Sequence, residues 1–336
     1  MTGKVDSRPT MDDVAIEAGV SQMTVSRVMR GTGQTSEQVR HRVEQAARKL
    51  GYVPNRLATS LRDETTPLIA VVLPTLGNRV FSEVLDGITA TLSGRGLQPV
   101  FGVTEYSEAT EEELVRDLLS WRPQGIILPG LEHSDATRTA IRAAGVRVVE
   151  VMDIDGDPIS IAFGLSQYAA GQATARYMLT KGYRRFGYIG SQGARDLRAV
   201  KRFNGFRDAV RDSGGQILVE HVSDGPSSMI EGRRATATVL SAPDRPEAIY
   251  YSNDDLAAGG IMHCLSHGVT MPTDVALAGF NGLPFLEALP IQLTTVETPR
   301  LEMGIRAAQH LIDDHDTSEV PRVIDLGFHL IPGQTS

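Results

Sequence analysis

Four side chains near the start of the chain are of types that read nucleic acid: Gln22, Met23, Ser26 and Arg27. An amide pairs with adenine, a guanidinium with guanine and a hydroxyl with either, so the group points to hydrogen bonding along base edges in a major groove. Helical spacing puts Val20, Val25 and Val28 on the opposite side, which turns the four outward. Further along, polar residues gather where predicted strands end: Thr75 and Asn78, Asp153 and Asp155, Ser191, Asn253 and Asp254, and Asn281. Open parallel sheets take small ligands at those ends, which makes these residues a second, separate candidate site.

Groups suited to covalent or metal chemistry are not arranged for it. His263 and His267 have the i, i+4 spacing of two helical metal ligands, but the intervening glutamate and a third ligand nearby in sequence are missing. The glycine-rich run 187–193 matches neither the P-loop nor the dinucleotide fingerprint, and reads as tight strand-to-loop packing. There is no G-x-S-x-G elbow, and Glu111, Glu112 and Glu113 suit the exposed first turn of a helix. No catalytic residue, metal or cofactor is expected, so the chain reads as a binding protein and not as an enzyme.

Both candidate sites need scaffolds. Thr10 can cap a first helix, with Asp13 placed to reach back to the cap, and Val14, Ala15 and Ala18 share one side of it. Gly19 supplies the left-handed turn and Ser21 caps the next helix, on which Gln22, Met23, Thr24, Ser26 and Arg27 lie. A third helix starts near residues 35–38, turns Val39, Val43, Ala46, Ala47 and Leu50 inward, and stops at Gly51. From Leu68 the pattern changes. Strands over 68–73, 98–103, 125–128 and 147–151 alternate with helices from Phe81, Thr110 and Asp135. It restarts with strands at 185–189, 217–219, 248–251, 275–278 and 293–296, and helices near 199–212, 228–241 and 255–267. Apolar runs this continuous belong to strands covered on both faces. The expected fold is an N-terminal all-α helix-turn-helix head followed by an α/β body of two parallel-sheet lobes with a cleft between them.

Charge divides the labour between these parts. Residues 1–62 hold ten Lys and Arg against six Asp and Glu, a net +4, whereas the whole chain of 336 residues is −8. Phosphate affinity must then come from the head, because the acidic body is repelled by DNA. Cys264 is the sole cysteine and is expected as a small core residue. With no leading apolar segment and no 18-residue apolar run, a soluble cytoplasmic protein with no membrane partner is expected. Residues 54–66 link head and body through a helix-compatible stretch too short to be stable alone.

Asp13-Val14-Ala15, Ala18-Gly19-Val20-Ser21, Thr24-Val25-Ser26-Arg27-Val28 and Gly51-Tyr52-Val53-Pro54-Asn55 together resemble the lactose-repressor (LacI) family of bacterial transcription regulators. The resemblance continues almost to the end of the chain and implies a body like that of periplasmic binding proteins. It also implies that the hinge, with Asn55, Ala58 and Leu61, folds when two copies pair in a minor groove, where Leu61 wedges between base pairs. Thr10 joins the DNA contacts on the same ground. Effector contacts are implied for Arg202, Asn253, Asp254 and Asn281, and Thr75, Asn78, Phe81 and Asp153 complete the expected pocket. Residues 71–75, 81–87, 118–121 and 149–153 look most like the gluconate-operon repressors of this family.

Sugar-sensing relatives commonly carry an aspartate where this chain has Asn281. An amide there removes a negative charge, while Arg202 can take a carboxylate with two parallel N–H bonds, so a sugar acid such as gluconate becomes the expected effector. A second departure lies at Ser166 and Gln167, where relatives often carry Asp-Asn. The resemblance implies a homodimer on palindromic double-stranded operator DNA, and the chain's end without a trailing heptad stretch gives no tetramer. The domains expected are a head over 1–53, a hinge over 54–66 and a body over 67–336. The first lobe is taken as about 67–165 plus 283–298, and the second as about 166–282 plus 299–336. A solute-binding protein would share the body but would need an export signal. A sugar-acting α/β enzyme would need convergent acid, base or nucleophile groups.

Overall fold

Thr10 opens the first helix with a closed capping box: its hydroxyl accepts the Asp13 N–H at 3.3 Å, and the Asp13 carboxylate accepts the Thr10 N–H at 2.7 Å. In this computed structural model residues 8–31, 34–53, 65–193, 195–313 and 322–336 are described. The expected hinge contacts Asn55, Ala58 and Leu61 lie outside the described residues. The chain divides between Thr66 and Pro67 into two compact units.

The head comprises α1 (Met11–Ala18), α2 (Gln22–Arg30) and α3 (Glu37–Leu50). Ser21 and Ser36 cap α2 and α3 through their hydroxyls, and Gly19, Gly31 and Gly51 end the three helices in left-handed conformation. Val14, Ala15, Ala18, Val25, Val28, Val43, Ala46 and Ala47 form the shared core. Small and β-branched residues suit this core because three short helices can meet closely only over small side chains.

The body begins with β1 (Leu68–Leu73), α4 (Val80–Leu92), β2 (Gln98–Val103), α5 (Glu108–Ser120), β3 (Gly125–Pro129), α6 (Asp135–Ala144), β4 (Arg147–Val151) and β5 (Ile161–Gly164). It continues with α7 (Gln167–Thr180), β6 (Arg185–Gly190), α8 (Leu197–Asp212), β7 (Gln216–Val222), α9 (Met229–Leu240), β8 (Ala248–Tyr251), α10 (Asp254–Ser266) and β9 (Ala276–Ala278). The described residues end with β10 (Thr295–Glu297), α11 (Arg300–Ile312), β11 (Val323–Asp325) and β12 (His329–Ile331).

The first lobe is a parallel sheet in the order β11-β5-β4-β3-β1-β2. Its strands alternate: Ile69, Val71 and Leu73 face one core layer, and Ala70 and Val72 the other. The second lobe is a parallel sheet in the order β7-β6-β8-β9. Phe186, Tyr188 and Tyr250 pack toward Phe203 and Phe206 of α8, while Ile189, Ile249 and Tyr251 face α9 and α10. Cys264 is fully buried in that second layer.

The expected division of the C-terminal third between lobes is corrected by the structure. Residues 299–336 are expected in the second lobe, yet α11 packs on α4 and β11 pairs with β5, both in the first, while Thr335 near the end of the chain hydrogen-bonds with Leu277 of β9 in the second as expected. The apolar stripe Met303, Ala307, Ala308 and Leu311 joins the first-lobe core. Two glycines let the helices touch backbone to backbone: a Cβ on Gly304 would lie 2.1 Å from the Val84 carbonyl, and one on Gly87 would lie 2.3 Å from the Leu301 carbonyl. Conversely Leu286, Leu289, Ile291 and Leu293, assigned to the first lobe, pack in the second.

Candidate functional site

On the head, the Gly19 turn sets α2 so that Ser21, Gln22, Met23 and Arg27 are exposed, with Thr24 and Ser26 half-buried. Met23 is 63% exposed, high for a thioether that could pack inward, and it projects beside Gln22. The Ser21 hydroxyl accepts the Thr24 N–H at 3.2 Å and lies 2.9 Å from the Thr24 hydroxyl, so this pair primarily fixes the start of α2. Thr10 is likewise occupied in its cap. The surface left for recognition is an amide, a thioether and a guanidinium on the outer face of α2, the chemistry that reads base edges.

In the body, α8 brings a charged edge into the space between the lobes. Its N-cap Asp196 accepts the Ala199 N–H at 3.3 Å, and Arg198 and Arg202 follow one turn apart on one face. The Arg202 Nη1 donates to Gln167 Oε1 at 2.6 Å, and Nη2 donates to the Ser252 carbonyl at 2.9 Å. Its Nε is buried without a hydrogen-bond partner. Arg198 is also buried, stacks 5.3 Å above the Phe81 ring and has an unpartnered Nη1. A guanidinium does not shed its proton, so these N–H groups remain donors at the edge of the cleft.

A recess of about 20 Å³ is lined by Arg198, Arg202, Gln167, Asn253, Asn281 and Asn78, among others. A cavity of about 680 Å³ adjoins it, and Asp196 and Arg198 line both. The larger volume lies within the range of small-molecule sites. Asn253 serves two roles, since its Oδ1 caps α10 through the Leu256 N–H at 3.1 Å. Asn281 adopts φ 124°, a conformation disfavoured for a residue with a Cβ.

Four expected pocket residues line neither cavity. Asp254 is fully buried and turned away: it accepts the Thr295 hydroxyl at 2.6 Å and the Leu283 N–H at 2.9 Å, and burial pushes its carboxyl up to about 6. Asp153 is held by Lys201 Nζ at 2.5 Å and by the Asp155 N–H at 3.0 Å. Phe81 belongs to the first-lobe core, and the Thr75 hydroxyl accepts the Gly77 N–H at 3.1 Å. In their place the structure brings Arg198, Asp196 and Gln167 to the recess. The signal for Arg198 was its spacing of four residues from Arg202 on one helix.

Glu111 also departs from expectation. It is not an exposed first-turn acid but is 9% exposed, with Oε1 2.6 Å from His133 Nδ1. On the other side of the imidazole, Glu150 Oε1 lies 3.6 Å from Nε2, and burial pushes the Glu150 carboxyl up to about 7. Glu111 and His133 form part of the wall of the larger cavity. His263 and His267 stack at 4.2 Å between ring centroids, with His267 Nδ1 2.9 Å from the His263 carbonyl. Among the described residues no helix is long and apolar enough to cross a membrane.

A helix-turn-helix head joined to a two-lobed body with a guanidinium-lined cleft defines a DNA-binding transcriptional regulator. Residues 10–55 match the bacterial regulatory proteins of the lacI family, and residues 175–336 match the periplasmic binding protein-like domain. The chain belongs to the LacI family. It is 36% identical to the HTH-type transcriptional regulator GntR of Pseudomonas aeruginosa PAO1, over 99% of this chain and 97% of that one. The crystal structure of a LacI-family transcriptional regulator from Silicibacter pomeroyi has TM-score 0.92 at 42% identity, covering 97% of this chain and 99% of that one. The transcription regulator GntR from Chromobacterium violaceum has TM-score 0.75 at 34% identity, covering 80% of this chain and 99% of that one. The expected family and fold class agree with these findings.

Proposed function

We propose that the protein is a cytoplasmic homodimeric repressor of sugar or sugar-acid catabolic genes, released from palindromic operator DNA when a gluconate-like acid enters the cleft. The reading takes 1–53 as the DNA-binding head, 54–66 as the hinge and 67–336 as the effector-binding and dimerising body. The observation that carries it is Arg202: a buried cation whose Nε lacks a partner, stacked 4.0 Å from the Phe280 ring centroid and facing a recess in which Asn281 contributes no charge. A neutral sugar leaves such a cation without a counter-charge, whereas a carboxylate supplies both charge and acceptors.

In this mechanism two bodies pair and bring two heads to a symmetric site, where Gln22, Met23 and Arg27 read bases and the hinge adds affinity by bending the duplex. Effector favours the closed cleft, and operator affinity falls in proportion to the effector's differential affinity for the two forms. The reading is tested by titrating operator DNA from the protein's own promoter region with and without gluconate. Release by gluconate is expected. Binding of operator that neither gluconate nor any related aldonate alters would overturn the assignment of effector.

A further inference from the structure

The two adjoining cavities differ in character, and Arg198 stands where they meet. The charged residues around the inner recess are Arg198, Arg202 and Asp196, a net charge of +1. Asp196 lies 3.6 Å from Arg198 Nε and is also tied to the α8 N-terminus, so it leaves Arg198 Nη1 unpaired. The recess holds about 20 Å³, room for a group of a few atoms and not for a whole sugar. One carboxylate therefore matches it in both charge and size.

The outer cavity presents acceptors instead. Its wall carries five carboxylates, Glu108, Glu111, Glu132, Asp157 and Asp196, against the three guanidinium groups of Arg138, Arg195 and Arg198. Glu111 is shared with His133, Glu132 with Lys201 at 2.5 Å, and Asp157 with Arg322 at 3.1 Å. An ionised carboxylate only accepts hydrogen bonds, so this wall suits hydroxyl groups that donate. Arg138 donates to the Leu131 and Asp157 carbonyls and Arg195 to the Asp224 carbonyl, so the wall keeps a net negative charge, and a second ligand carboxylate would bring no proton to share and would meet like charge.

From this polarity we infer that Arg198 is a charge-specificity residue of the effector site. Paired with Arg202 it takes a single carboxylate in the recess, while the outer cavity takes an uncharged hydroxylated chain. The ligand class is then the aldonates, selected against neutral aldoses and against aldarates, which carry a carboxylate at each end. The inference rests on the effector reading proposed above and adds to it a residue and a rule of exclusion.

Isothermal titration of the full-length protein with D-gluconate, D-glucose and D-glucarate tests it, using wild type, Arg198→Met and Arg198→Lys. Wild type is expected to bind gluconate at least roughly tenfold more tightly than either other ligand, the scale of one charge-assisted hydrogen bond. Arg198→Met is expected to lose roughly tenfold to a hundredfold in gluconate affinity with glucose affinity unchanged, and Arg198→Lys to recover part of the loss. Gluconate binding equal in wild type and Arg198→Met, or glucarate bound as tightly as gluconate by wild type, overturns the role of Arg198. Wild type that binds no aldonate overturns the effector reading itself. If Arg198→Met fails to fold, Arg198→Gln, which keeps an N–H donor but not the charge, replaces it, and gluconate affinity equal to wild type in that variant overturns the role of Arg198.

Discussion

The guanidinium carbon of Arg202 lies 4.0 Å from the centroid of the Phe280 ring, and both residues line the inner recess. The ring covers one face of the cation, while Gln167 and the Ser252 carbonyl fix its in-plane edge. Rigid placement of this kind reduces the side-chain ordering that binding would otherwise cost. Arg202→Met is expected to abolish the response of operator binding to gluconate while leaving operator affinity without ligand unchanged. It also strips two buried acceptors of their donor, which costs about 1–3 kcal/mol of stability. Operator titration with and without gluconate checks the first effect, and chemical denaturation the second.

Glu150 makes body stability depend on pH. Burial raises its carboxyl to about 7 from an ordinary 4.5, with the His133 charge and the Ile159 N–H opposing the rise. The folded protein keeps this proton at pH values where the unfolded chain has released it. Stability from the group is therefore full below about pH 4.5 and is lost as pH rises through 7. Glu150→Gln should flatten that slope and stabilise the protein at pH 8 by about 1–3 kcal/mol, because the amide keeps an acceptor for the Ile159 N–H and carries no charge to desolvate. Asp254, raised to about 6 by burial, leaves a residual slope of the same sign below that pH. Denaturation midpoints from pH 4 to 8 for both proteins decide the matter; parallel curves would refute the assignment.

Arg27 and Thr10 separate reading from folding in the head. Arg27 is exposed and takes no part in the core formed by Val14, Val25 and Val43, whereas Thr10 closes the capping box of α1. Arg27→Ala is expected to relax base choice at one operator position by about 1–3 kcal/mol without changing the melting temperature. Thr10→Ala should weaken binding to all operators alike, through a loss of about 1 kcal/mol in helix stability. Competition titrations over an operator panel with single base changes distinguish the two patterns.

The head was legible because its signals are local: Thr10, Ser21 and Ser36 each cap a helix within three residues, and Gly19 and Gly51 end helices at their own positions. Most body strands were legible from continuous apolar runs such as 68–73 and 248–251. The placement of α11 and β11 was not, since nothing local to Met303 or Val323 says which sheet accepts them. That choice is made by the close approach of Gly304 to Val84 and by pairing with β5, both remote in sequence. The same limit applied at the cleft. Asn253 is legible from its place just after a strand and Arg202 from the family resemblance, but the direction of Asp254 is set by Thr295, 41 residues away.

The position of both cleft arginines depends on a glycine in a different helix. A Cβ on Gly171 of α7 would lie 1.9 Å from the Arg202 carbonyl, and one on Gly205 of α8 would lie 2.0 Å from the Tyr168 carbonyl. The two helices thus meet over a pair of glycines, and that contact sets how deeply α8 sits and where Arg198 and Arg202 emerge. Gly171→Ala must push α8 outward, because backbone and not a flexible side chain blocks the added methyl. Overpacking of this kind costs about 1–3 kcal/mol, and the accompanying shift of α8 should weaken gluconate binding as well. Calorimetric affinity and denaturation measured on the same preparation check it, and a variant that lost stability while binding gluconate normally would show that α8 does not carry the effector contacts.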